Sequence, residues 1–95
     1  MFVSIRRYRD APMDDATVRR VEAGLVPLLK GLPGFRGYYA VDCGSGTLVT
    51  VTMFESREAA VASAEQVAAW VKDNLPGMPG PWEVSVGELR LAVPG

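Results

Sequence analysis

Residues 33–55, PGFRGYYAVDCGSGTLVTVTMFE, limit the folds open to this chain more than any other stretch. FRGYYAVD is rich in aromatic and β-branched side chains, and TLVTVTMF alternates apolar with hydroxyl side chains. Both are strand patterns. Between them DCGSG supplies residues that tolerate the positive φ of a short hairpin turn. The rest of the chain reads as what extends or covers this hairpin.

Upstream, residues 2–9 alternate as a strand. Val3 and Ile5 mark one face, and Ser4, Arg6 and Tyr8 mark the other. Asp14 is the expected N-cap of a helix whose Val18, Val21, Leu25, Leu28 and Leu32 fall on one stripe. Pro27 lies inside that stripe and predicts one bent helix, ended by Gly31, Pro33 and Gly34. Downstream of the hairpin, Ser56 is the expected cap of an Ala-rich helix over 57–75. Its apolar stripe is Ala60, Ala64, Val67, Val71 and Leu75. PGMPGP (76–81) is a stiff connection, and residues 82–93 form a last strand with a bulge at Gly87-Glu88.

The order is β-α-β-β-α-β, read as a single domain over residues 1–95. Right-handed crossovers put both helices on one face of a four-stranded antiparallel sheet, an α+β ferredoxin-like sandwich. The other face is left bare. Phe2 or Tyr8, Leu48 and Phe54, mixed with Thr, Ser and Arg, are expected on it. A bare face this apolar calls for a partner, and a second copy packed face to face would close a dimeric α/β barrel.

Composition narrows the functions. Ten basic and eleven acidic residues leave a net charge of −1 with no long run of one sign, so no nucleic-acid partner is expected. A single cysteine, Cys43, excludes an intrachain disulfide. Histidine is absent, so no zinc or haem ligand set and no Ser–His or Cys–His pair can be assembled. No metal and no cofactor are expected. No apolar run approaches the about 20 residues of a membrane span, and no signal peptide opens the chain, so the expectation is a cytoplasmic protein without a membrane partner.

Three segments carry a resemblance: PGFRGYY (33–39), TVTMFESREAA (50–60) and AAWV (68–71). With them the chain resembles the dimeric α/β-barrel superfamily, in particular antibiotic biosynthesis monooxygenase-like proteins, over nearly its whole length. The resemblance implies a homodimer and, in one branch, cofactor-independent oxygenation of polycyclic phenols. Other members degrade haem, isomerise small molecules or have no known activity. The haem-degrading branch calls for a His ligand that this chain lacks. In the oxygenase branch an Asn and a Trp one helical turn apart are implicated, and the matching positions here hold Gln66 and Trp70.

The candidate site residues follow. Trp70 is either a core filler or a pocket wall for a flat ligand. Gln66 and Asn74 flank it as solvent-facing residues or pocket amides. Tyr38 and Tyr39 point to opposite faces. Tyr39 is expected on the helix side, where it would bond a phenol oxygen as a third reaction residue beside Trp70 and Gln66. Tyr38, Arg36 and Asn74 are the expected substrate-binding set. Arg36 and Arg6 would face the dimer interior and attract an anionic ligand, or pair with acids across the interface. Two functions remain open at this point. One is a cofactor-independent monooxygenase for a small aromatic or polyketide-like phenol. The other is a non-catalytic dimeric module that binds a small hydrophobic ligand.

Overall fold

The computed structural model describes residues 1–11 and 13–95. Pro12, part of the expected loop before the first helix, lies outside the described residues. Four strands, β1 (Phe2–Tyr8), β2 (Phe35–Gly44), β3 (Thr47–Phe54) and β4 (Glu83–Glu88), form one antiparallel sheet in the order β2-β3-β1-β4. This is the expected ferredoxin-like arrangement. The hairpin turns on Ser45 and Gly46, both at positive φ (53° and 78°), the geometry that continues the twist of the flanking strands.

The first helix is one continuous rod in three pieces: α1 (Asp15–Arg20), a π-helical turn (Val21–Leu25) and α2 (Val26–Lys30). Asp14 caps it, accepting a hydrogen bond from the Thr17 N–H at 2.8 Å. A wider, π-helical turn lies just before Pro27. The proline ring would strike the carbonyl four residues back in an α-helix, and the wide turn moves that carbonyl aside. The wide turn also changes the phase of the stripe: Val21, Leu25 and Leu29 are buried, while Leu28 and Leu32 are only half-buried.

The second helix, α3 (Arg57–Asn74), starts at Ser56, whose Oγ accepts from the Ala59 N–H at 3.1 Å. It buries Ala60, Ser63 and Val67. None of the helices in the described residues is long and apolar enough to cross a membrane. The last strand is shorter than expected. It ends at Glu88, in regular register with β1; beyond it the Leu89 N–H donates to the Met1 carbonyl, just before β1 begins.

The largest correction concerns the two sheet faces. Residues directly opposite in an antiparallel pair share a face. Ser4 lies opposite Thr52, Arg6 opposite Thr50, Tyr8 opposite Leu48, and Tyr38 opposite Thr52. This set, with Phe54, lies under the helices, and Tyr8, Leu48 and Phe54 are buried there. The bare face holds Val3, Ile5, Val49, Val51, Met53, Tyr39 and Val41 instead. Alternation tells which residues keep company but not which company the helices cover. Ser, Thr and Arg suggested water; they line an interior space.

Candidate functional site

Beneath α3 the packing is incomplete. Ala64, Val67, Ala68, Val71, Lys72 and Leu75 recur at helical spacing on one side of α3, and the two alanines leave room there. Facing them are Arg6 and Tyr8 of β1 and Val84 of β4, and the Pro76–Pro81 connection closes the end. Between them lies an open cleft of about 460 Å³. It abuts a narrow extension of about 30 Å³, room for no more than a water or two, between the first helix, α3 and the sheet. Tyr38, Thr50, Thr52, Val21 and Leu25 line that extension. Arg6, Tyr8, Val67, Val71, Leu75 and Met78 wall both spaces.

The electrostatics of this wall are lopsided. Arg6 is only 8% exposed, yet no Asp or Glu lines either space. Among the described residues the ion pairs involve Arg7, Arg36 and Arg90. Tyr38 stands in the same neighbourhood. Burial pushes its phenol up to about 12; the nearby Tyr8 acts in the same direction, and Arg6 opposes them. The Tyr38 O–H is therefore a proton-bearing donor at neutral pH.

The expected site residues are distributed differently. Tyr39 is 58% exposed on the bare face, away from the helices, and its neighbour Tyr38 takes the interior position. Tyr39 does share a face with Val41, opposite Val51 and Val49, as alternation implies; the helices cover the other face. Trp70 does not line the cleft. It is half-buried against the first helix, where Gly24 leaves the space: a Cβ on Gly24 would stand 2.5 Å from Trp70 Cζ2. Gln66 is exposed, and Asn74 is exposed with its Nδ2 donating to the Trp70 carbonyl at 2.9 Å. Both share the side of α3 with Trp70. Arg36 is exposed and pairs with Glu55 of the same chain.

Of the expected set, the structure brings Tyr38 to the narrow extension beside the cleft, where Arg6 walls both spaces. It adds Tyr8, Thr50 and Thr52, which sequence reasoning had placed on the wrong face. The signal for them was present. Hydroxyls and an arginine share one parity on two adjacent strands, a pattern that ordinary solvent-facing sheet does not require.

No family model matches the chain, and no curated protein matches it. Solved structures do. A protein of unknown function from Nitrosomonas europaea, NE2512, superposes with a TM-score of 0.71 at 20% identity over 99% of this chain and 94% of that one. The ActVA-Orf6 monooxygenase of Streptomyces coelicolor, solved with nanaomycin D, gives 0.68 at 20% identity over 99% and 91%. A MhuD variant with two manganese protoporphyrin IX molecules per active site gives 0.66 at 23% identity, covering both chains in full. The chain has the fold of the antibiotic biosynthesis monooxygenase-like α/β-barrel proteins. A histidine-ligated porphyrin would find no ligand here, since the chain holds no histidine.

Proposed function

We propose that the protein binds a small, flat, phenol-type molecule in the cleft beneath α3 and oxidises it with dioxygen, as a homodimer. The observation that carries this reading is the cleft of about 460 Å³, whose helix wall is apolar apart from Lys72 and whose sheet wall carries Arg6 and Tyr8. Such a shape takes an aromatic ring between hydrocarbon walls and fixes its oxygen on a few polar groups. The oxygenase part rests on the shared fold with the ActVA-Orf6 monooxygenase, an argument by analogy.

The proposed chemistry is carried by the substrate. A bound phenolate passes one electron to dioxygen, and the radical pair joins as a carbon–oxygen bond. Loss of the ring proton then cleaves the O–O bond. Phenol and dioxygen become quinone and water. The protein supplies orientation and hydrogen-bond donors for the charge that develops on oxygen. In this reading Tyr38 donates to the reduced oxygen.

The dimer part rests on the bare face. Val3, Ile5, Val49, Val51, Met53 and Val41 form an aliphatic surface with Tyr39 among them and the Arg7–Glu83 ion pair at its margin. An apolar surface of this extent is unusual on a lone chain.

One observation favours a second reading, binding without turnover. Neither space is lined by a carboxylate or imidazole that could take the substrate's proton. Oxygen uptake over a panel of phenols separates the two. The oxygenase reading expects uptake with at least one phenol, a quinone product, and a loss in kcat of roughly a hundredfold in Tyr38→Phe. Binding of phenols with no oxygen uptake would establish the second reading instead.

A further inference from the structure

We propose that the cleft is built for an aromatic molecule bearing a carboxylate, and that Arg6 is the residue that receives the carboxylate. The inference rests on the reading of the cleft as a ligand site and names the class of ligand.

A guanidinium stays charged at any physiological pH, so burial does not neutralise it. A buried charge is stable only when paired or solvated. Arg6 is 8% exposed and, among the described residues, no acid stands within 4 Å and none lines the surrounding space. Its side-chain nitrogens are nonetheless not sealed in, because the described residues contain no fully enclosed polar side-chain atom without a partner. Those nitrogens therefore keep access to open space, and the spaces that Arg6 lines are the cleft and its narrow extension.

The surroundings define what fits. Arg6 walls both the wide cleft and its narrow extension. Across the sheet it is flanked by Thr50 on one side and Val84 on the other, with Tyr8 two residues along. The opposite wall is Ala64, Val67, Ala68 and Val71, all hydrocarbon. A ligand that uses the whole site has a flat apolar body against α3 and a negative end on the sheet. The guanidinium is a planar fork of donors that matches two oxygens on one carbon, which favours carboxylate over a single phenolate oxygen. Lys72 at the α3 wall adds a second positive charge, so the cleft as a whole attracts anions.

Titration calorimetry without oxygen tests this apart from any turnover. 2-Naphthoate and its neutral isostere 2-naphthamide are titrated into the wild-type protein, Arg6→Met and Arg6→Lys. The expected result is that naphthoate binds the wild type roughly 10- to 100-fold more tightly than the amide. The preference disappears in Arg6→Met and is partly retained in Arg6→Lys. Equal affinities for the two compounds in the wild type overturn the proposal, as does a preference that survives in Arg6→Met, or no binding of naphthoate at all. If naphthoate binds through Arg6 but no phenol consumes oxygen, the oxygenase reading fails and this one stands. If a neutral phenol is oxidised while naphthoate gains nothing from Arg6, the reverse holds.

Discussion

The two faces of this sheet are built from the same strands and differ in where their hydroxyl and aliphatic residues lie. Beneath the helices lie Ser4, Arg6, Tyr8, Tyr38, Leu48, Thr50, Thr52, Phe54, Val84 and Val86; on the other side lie Val3, Ile5, Tyr39, Val41, Val49, Val51 and Met53, with Ser85 and the Arg7–Glu83 ion pair beside them. A single layer of helices on an antiparallel sheet ordinarily has the opposite arrangement, aliphatic under the helices and polar toward water. The inversion is informative on both sides. A polar interior is costly to a fold and is kept where it lines a space for something else. An aliphatic exterior is costly to a soluble chain and is kept where something covers it. One face is thus read as a binding wall and the other as an interface.

The sharpest way to break this division is a charge at the centre of the bare face. Val51 stands opposite Ile5 on one side and Tyr39 on the other. Val51→Lys places an unpaired ammonium where two copies would meet. The dimer dissociation constant should rise at least a hundredfold, about 3 kcal/mol, while each copy keeps its fold. Light scattering coupled to size exclusion at micromolar concentration reads this as a halving of mass with unchanged circular dichroism. A wild-type chain that is already a monomer, or a variant that keeps the wild-type mass, would remove the interface from the comparison.

On the interior face the corresponding handle is pH. The Tyr38 phenol is held up to about 12, first by burial and then by Tyr8, whereas an unfolded tyrosine ionises near 10. Below about pH 10 both states keep the proton and the contribution is constant. Above it the unfolded chain releases its proton first, so stability falls as pH rises from about 10 to about 12. The loss over that window is at most about 2–3 kcal/mol. Denaturant melts of the wild type and Tyr38→Phe across the window should show the steeper decline in the wild type. Equal slopes would mean that Tyr38 is not enclosed by the interior face.

The sequence made the strands, caps and topology legible because those are local matters. Alternation placed Ser4 with Arg6 and Tyr8, helix caps announced themselves at Asp14 and Ser56, and Gly46 marked the turn. It did not reveal which sheet face the helices cover, because a period of two is symmetric with respect to side. That one ambiguity moved Tyr39 into the cleft and Tyr8, Thr50 and Thr52 out of it. Trp70 was misplaced for a different reason. Its helical phase borders the stripe of Val67 and Val71, and only the space left by Gly24 draws it to the first helix and away from the cleft. Pro27 signalled a steric conflict in the sequence, but not that a π-helical turn ahead of it would answer that conflict.

The smallest expected effect is the one that most directly tests why the interior is polar. If Arg6 were a structural element, Arg6→Met should lower stability, since it would strand a partner. If Arg6 is held in reserve for a ligand, the empty protein carries a desolvated charge that nothing offsets. Replacing it by a side chain of similar length and no charge should then stabilise the unliganded protein, by about 1 kcal/mol, or a rise of roughly 4–8 °C in Tm for a chain of this size. The same substitution should abolish the extra thermal shift that naphthoate gives the wild type, so that one change raises Tm without ligand and removes the gain with it. A structural arginine produces neither sign. The pairing of those two outcomes, and not either alone, is what distinguishes a face shaped for binding from one that merely tolerates a charge.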